Sequence, residues 1–188
     1  MARWDLVGTT VMALLTQKPR HPYELHRFIL DTRKDYVSGL PRSLYHAVDR
    51  LARDGLIEVA EVEREGRGPE RTVYRITREG REELAHRLRH MLERPDPDTT
   101  VIHAALSLSG VLPSTEIARC LRVRAAALEG LVTTADATLQ GLDLPRMLLL
   151  EVEYSREVNA AELSWIHRLL TELASGELAW AGLLEKEE

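Results

Sequence analysis

The chemistry-bearing side chains that gather in this sequence are arginines and hydroxyls. Arg42, Ser43, Tyr45, His46 and Arg50 stand within nine residues of one another, on a stretch with helical spacing. Further along, Arg64, Arg67 and Arg71 surround two glycines and a proline in REGRGPER. A guanidinium offers a planar fork of donors that matches phosphate oxygens and the guanine edge. Serine and tyrosine hydroxyls donate to phosphate oxygens. The chemistry this set points to is recognition of a polyanion, not the making or breaking of bonds. Two residues keep a second reading: Tyr45 as a ring at the edge of a core, and Arg71 as a cross-ribbon partner of Glu63.

Other groups give weaker signals. His86 and His90 stand at i and i+4, a spacing that can begin a metal site, but no HExxH surrounds them and no third ligand is evident. They read as solvent-facing. Cys120 lies beside Arg119 and Arg122, a setting that would lower a thiol pKa. Its neighbours Ile117 and Leu121 argue instead for a small buried residue. Gly66-Arg67-Gly68 is too short for a nucleotide fingerprint, and no carboxylate pair comes with a nucleophile. The chain is therefore not read as an enzyme, and no cofactor is expected.

The elements that must hold the arginines follow from periodicity and breakers. A first helix is expected over Asp5–Thr16 from Leu6, Val7, Val11, Leu14 and Leu15. A second covers Tyr23–Leu30, opened by Pro22, with Leu25, Phe28 and Ile29 buried. A third covers Arg42–Asp54 after Pro41. Leu44, Val48 and Leu51 make its core stripe, and Gly55 is a left-handed cap. Its outward set is Arg42, Ser43, His46, Ala47, Asp49 and Arg50. Strands are expected over Leu56–Glu63, with Leu56, Val59 and Val62 half-buried, and over Thr72–Ile76. Thr77 caps a fourth helix that ends near Arg94, with Leu84, Leu88, Met91 and Leu92 as its apolar face. Pro95-Asp96-Pro97-Asp98 marks a boundary. The rest reads as helices over Thr99–Leu108, Ser114–Gln140 and Pro145–Ala174.

Three short helices followed by a two-stranded ribbon make a winged helix-turn-helix. The fold class is thus mainly α with a small two-stranded wing: an N-terminal winged helix-turn-helix over 1–94 and a helical dimerisation domain over 95–188. In that arrangement Arg42, Ser43, Tyr45, His46 and Arg50 face a major groove, and Arg64, Arg67 and Arg71 form a wing tip beside it. Charge agrees with the division. Residues 1–94 hold 18 Lys and Arg against 15 Asp and Glu, a net +3, whereas 95–188 hold 7 against 15, a net −8. A phosphate surface needs local positive potential rather than a basic chain. The start, MARWDLVGTTVMALLTQ, reads as a helix rather than a signal peptide. No apolar run is long enough for a membrane span, and one cysteine makes no internal disulfide, so a cytoplasmic location is expected.

Three segments resemble the PadR family of bacterial transcription regulators: HPYELHRFI, PRSLYHAVDRLARDGLIEV and REGRGPERTVYRITREGREEL. Within them Leu44-Tyr45, Leu51, Gly55-Leu56-Ile57, Arg71, Tyr74, Ile76-Thr77, Gly80 and Leu84 match the family's places. Pro22 and Arg42 stand where that family commonly has glycine. The second half resembles the extended helical tail of the family's longer subgroup. The resemblance implies a homodimer on a palindromic operator in double-stranded DNA, repression, and in some members release by a small phenolic or hydrophobic effector. By residue type, Trp4, His103, Tyr154, Trp165 and Trp180 are candidates for an effector pocket. The apolar surplus of Pro145–Ala174, with Trp165 as its largest anchor, fits a dimer interface. Two other readings stay open: a winged-helix protein-interaction module marked by a neutral or acidic recognition face, which Asp49 and the wing residues Glu61, Glu63, Glu65 and Glu70 keep alive, and a small-molecule enzyme.

Overall fold

A computed structural model describes residues 4–63 and 71–180. Asp5 opens helix α1 (Leu6–Leu15) by accepting the Gly8 N–H at 3.0 Å. Every residue from Gly8 to Leu15 is buried, because α1 is the central rod on which later helices pack. Helix α2 (Pro22–Asp31) buries Leu25 and Ile29. Phe28, expected among its core residues, is only partly buried and carries the Arg20 guanidinium over its ring at 5.0 Å. Helix α3 (Arg42–Arg53) buries Leu44, Ala47, Val48 and Leu51. Gly55, at φ 72°, closes α3 as the sequence leads one to expect. The Gly55 and Leu56 N–H groups donate back to the Ala52 and Leu51 carbonyls, so the orphan acceptors at the helix end are satisfied.

Strands β1 (Ile57–Glu63) and β2 (Arg71–Ile76) pair antiparallel, with Ile57 opposite Ile76 and Glu63 opposite Arg71. Ala60 is an extra residue, since Val59 faces Tyr74 and Glu61 faces Val73. The bulge keeps Val62, opposite Thr72, on the same face as Ile57 and Val59. Val59 and Val62 are about half exposed, and only Ile57 and Ile76 at the ribbon's base enter the core. Arg20 exchanges both backbone hydrogen bonds with Tyr74 at 3.0 Å, which pairs part of the ribbon's outer edge.

Thr77 caps helix α4 (Arg78–Glu93), accepting from the Gly80 N–H at 3.0 Å, and Leu84, Leu88, Met91 and Leu92 are all buried. Helix α5 (Thr99–Leu108) starts at Asp98, and helices α6 (Ser114–Gly141) and α7 (Leu150–Ser175) follow. The pairs Arg156–Asp136 and Arg124–Glu162 show that α6 and α7 run antiparallel. The expected helix from Pro145 begins five residues late. Pro145 is extended (ψ 132°) and caps a single 3-10 turn, Arg146–Leu148, which Arg146 pins to α7 by two bonds to Glu153. One continuous cluster of buried side chains runs from Val11 in α1 to Ile166 in α7.

Among the described residues no helix is long and apolar enough to cross a membrane. A buried guanidinium, Arg124, is 1% exposed. It bonds Glu162 at 2.5 Å and the Met91 and Arg94 carbonyls at 3.4 and 2.7 Å.

Where α4 starts there is no room for a side chain. A Cβ on Gly80 would lie 2.0 Å from the Leu56 carbonyl oxygen. Gly80→Ala is therefore expected to cost about 2 kcal/mol, as overpacking against backbone does. Thermal unfolding monitored by circular dichroism reads that loss as a lowered Tm.

Candidate nucleic-acid interface

The burial pattern of α3 sets what it can present. With Leu44, Ala47, Val48 and Leu51 inside, the opposite face carries Arg42, His46, Asp49 and Arg53, spaced four, three and four residues apart, all exposed. Arg42 Nε lies 3.4 Å from His46 Nε2. Arg53 was not in the set expected from sequence, although its i+7 spacing from His46 is the signal that finds it. Ala47 was in the outward set and is corrected, being 2% exposed: it lies one turn before Leu51 on the inner face.

Two flanks border this stripe. On one, Ser43 and Arg50 are already engaged. Ser43 Oγ donates to the Ser38 carbonyl at 2.8 Å, and Arg50 Nη2 meets Asp5 Oδ2 at 2.5 Å. Asp5, from the start of α1, is the partner Arg50 takes. On the other flank Tyr45 is 44% exposed and opens onto a groove of about 580 Å³. Its lining includes Lys18, His21, Tyr23 and Arg71. The structure thus brings Tyr45 and Arg71 together and adds Lys18 and His21 from the turn before α2 and Tyr23 from its first turn. Arg71 lies opposite Glu63 in the ribbon register. Arg64 and Arg67 lie outside the described residues.

His21 caps α2 through its ring: Nδ1 accepts the Tyr23 N–H at 3.1 Å, while Glu24 accepts the His21 N–H at 3.0 Å. A neutral imidazole that accepts at Nδ1 carries its hydrogen on Nε2. The cap therefore leaves a donor on the ring's far side. With the Lys18 ammonium, the Arg71 guanidinium and the Tyr23 and Tyr45 hydroxyls, the groove is furnished with donors for an anionic backbone.

The aromatic and histidine candidates for an effector pocket do not meet. Trp4 donates from Nε1 to Asp96 at 2.9 Å and packs on the His90 ring at 5.1 Å. It lines a groove of about 640 Å³ with Asp35, Tyr36, Ser43 and Asp96. His103, Tyr154 and Trp165 do not line it; Tyr154 is 71% exposed and Trp165 38%. Trp180 instead donates to the Leu112 carbonyl at 3.1 Å.

The His86 and His90 rings stand 6.5 Å apart, and burial, followed by the nearby Arg94 and His86 charges, lowers the His90 pKa. Among the described residues no group of three His, Cys, Asp or Glu could hold a metal ion. Of the two readings of Cys120, the buried small residue holds and the lowered thiol pKa does not. Burial pushes the pKa up to about 11, and although the Arg119 guanidinium opposes this from 3.3 Å, Glu93 holds that guanidinium at 2.8 Å and adds its own negative charge.

Comparison with known proteins places residues 11–86 in a match to the transcriptional regulator PadR-like family. No curated protein matches the chain. Among solved structures, PadR of Bacillus subtilis in complex with operator DNA is 16% identical, covering 88% of this chain and 98% of its own, with a TM-score of 0.41. A PadR-like regulator of Bacillus cereus is 17% identical over 90% and 99%, with a TM-score of 0.39. A PadR-like transcription factor of Bacteroides fragilis is 24% identical over 42% and 73%, with a TM-score of 0.38.

A thiol shut inside and held protonated reacts slowly. Cys120 is expected to resist iodoacetamide at neutral pH in the folded chain and to alkylate once the chain is unfolded, as mass spectrometry of the intact protein would read.

Proposed function

We propose that the chain, whose residues 11–86 match the transcriptional regulator PadR-like family, is a member of that family that binds double-stranded DNA sequence-specifically, as a homodimer on a palindromic operator, and represses until an effector releases it. The observation that carries this reading is the exposed stripe Arg42–His46–Asp49–Arg53 on a helix whose other faces are held by the core, beside a groove bearing Lys18, His21 and Arg71. A helix of this kind enters a major groove, and the flanking donors grip the adjacent backbone. Arg42 stands in the first turn, where side chains reach base edges, and it is the residue assigned to sequence reading. Arg42 and Arg53 outweigh Asp49 in the stripe, so the face carries the net positive charge that favours DNA over a protein-interaction module with a neutral or acidic face.

The helical half supplies the dimer. Met147, Leu150, Tyr154, Val158 and Trp165 are exposed, and from Leu150 onward they recur on one side of α7 at steps of four and seven residues. Covering such a strip against a second copy removes it from water. It also brings two reading heads to successive major-groove faces about 34 Å apart. The functional division at residues 94/95 is proposed on the same ground: basic reading unit before it, acidic pairing unit after it. For the effector we propose the groove beside Trp4, because Ser43 of α3 forms part of its wall. A small hydrophobic ligand seated there bears on the reading helix directly, so its binding and DNA binding are coupled.

The test is binding of the full chain to the DNA upstream of its own coding sequence and to random duplex, over a salt series. The upstream duplex is expected to bind more tightly, with affinity falling steeply as salt rises. Equal affinity for the two duplexes overturns the regulator reading. Arg42→Ala is expected to cost about 1–3 kcal/mol and to relax preference at one base position, as base-edge contacts do. Sedimentation is expected to show a dimer that Trp165→Asp shifts to monomer; a monomeric parent chain removes the pairing unit from the proposal.

A further inference from the structure

Arg50 is the basic residue on the reading helix that the fold itself occupies. Its guanidinium lies 2.5 Å from Asp5 Oδ2, and the same oxygen lies 3.1 Å from Arg87 Nη1 of α4. Arg87 has a second carboxylate, with its Nε 2.6 Å from Glu83 Oε1. Two arginines and two carboxylates thus form a balanced group. Within it, Glu83 answers Arg87 and Asp5 answers Arg50. Removing the Asp5 charge would leave Arg87 paired and Arg50 without a counterion.

The location gives this balance its meaning. Arg50 is one turn beyond His46 and three residues before Arg53, so it borders the exposed stripe, and its side chain is 46% exposed. Freed, it reaches the backbone of any duplex docked against that stripe. A phosphate and the Asp5 carboxylate are alternative anionic partners for the one guanidinium. Asp5 is itself fixed, because its other oxygen caps α1 through the Gly8 N–H at 3.0 Å.

We propose that Asp5 is a specificity-determining positioning residue: an internal counterion that withholds Arg50 from DNA phosphate and ties the reading helix α3 to α1 and α4. This rests on the DNA-binding reading. A phosphate contact adds affinity for every sequence alike. Keeping Arg50 away from the backbone lowers the sequence-independent part of binding and leaves the stripe to discriminate.

The experiment is a salt series on the full chain with the upstream duplex and a random duplex, comparing the parent with Asp5→Asn. Asparagine caps a helix as well as aspartate does, so the start of α1 is kept while the charge is lost. The expected result is a log–log salt slope steeper by about one on both duplexes, as one added phosphate contact gives. Random-duplex affinity rises, and the ratio of upstream to random affinity falls several-fold. Adding Arg50→Met to Asp5→Asn removes the extra slope. Asp5→Ser, another capping residue without the charge, is the second variant should Asp5→Asn fail to fold.

If either folded variant keeps the parent's slope and ratio, or weakens both duplexes equally with no change of slope, the counterion role is overturned while the regulator reading stands. Loss of folding in both variants shows that Asp5 serves stability and overturns the proposal too. A parent chain that binds neither duplex in a salt-dependent way overturns the regulator reading first.

Discussion

A charge held away from water must find its compensation inside the protein, and the guanidinium of Arg124 does so by joining three helices. Glu162 of α7 neutralises it, and the carbonyls of Met91 and Arg94 at the far end of α4 accept from its Nη1. Carbonyls at a helix end lack intrahelical donors, so the buried cation and the orphan acceptors satisfy one another. The consequence is positional. The last turn of the winged half is fixed to both long helices by bonds whose loss would strand a charge, which is a stronger constraint than apolar contact alone. Leu84 and Leu88 of the same α4 lie in the cluster that holds α1, so the reading helix and the long helical arm share one support.

The face turned outward shows how few charges remain available once the fold has used what it needs. Ser43 closes the approach to α3, Arg50 pairs with Asp5, Arg75 pairs with Glu58 across the ribbon, and Arg20 lies over Phe28. What is left on the reading helix is the short line from Arg42 to Arg53. The net +3 of the first half therefore understates the local potential in one place and overstates it in others.

Much of this architecture was legible in the sequence, because it is written in local signals. Leu44, Val48 and Leu51 at helical spacing, Gly55 after them, and Thr77 three residues before Gly80 each depend on neighbours a turn away. The ribbon's interior was not legible. Ala60 adds a residue to one strand, and this sets Val62 on the face of Ile57 and Val59, where strict alternation from Ile57 would put it on the other. The start of α7 was misplaced because Pro145 suits the first turn of a long helix and of a 3-10 turn equally well. The exposure of Arg42, Tyr45, His46 and Arg71 could be found from type and period. The engagement of Arg50 could not, since Asp5 lies 45 positions away and no period links them. Lys18, His21 and Tyr23 join the groove only through folding of the turn before α2, where the ribbon's pairing with Arg20 brings them beside Tyr45.

The crowded contact at Gly80 has a mechanical meaning. Thr77 donates through its backbone to the Leu56 carbonyl at 3.1 Å and through its hydroxyl to the Gly55 carbonyl at 2.8 Å, and Gly80 sits against Leu56 with no space between. The head of α4 and the tail of α3 are thereby sewn into one hinge-free corner. Through that corner α4 and α3 hold one fixed mutual angle.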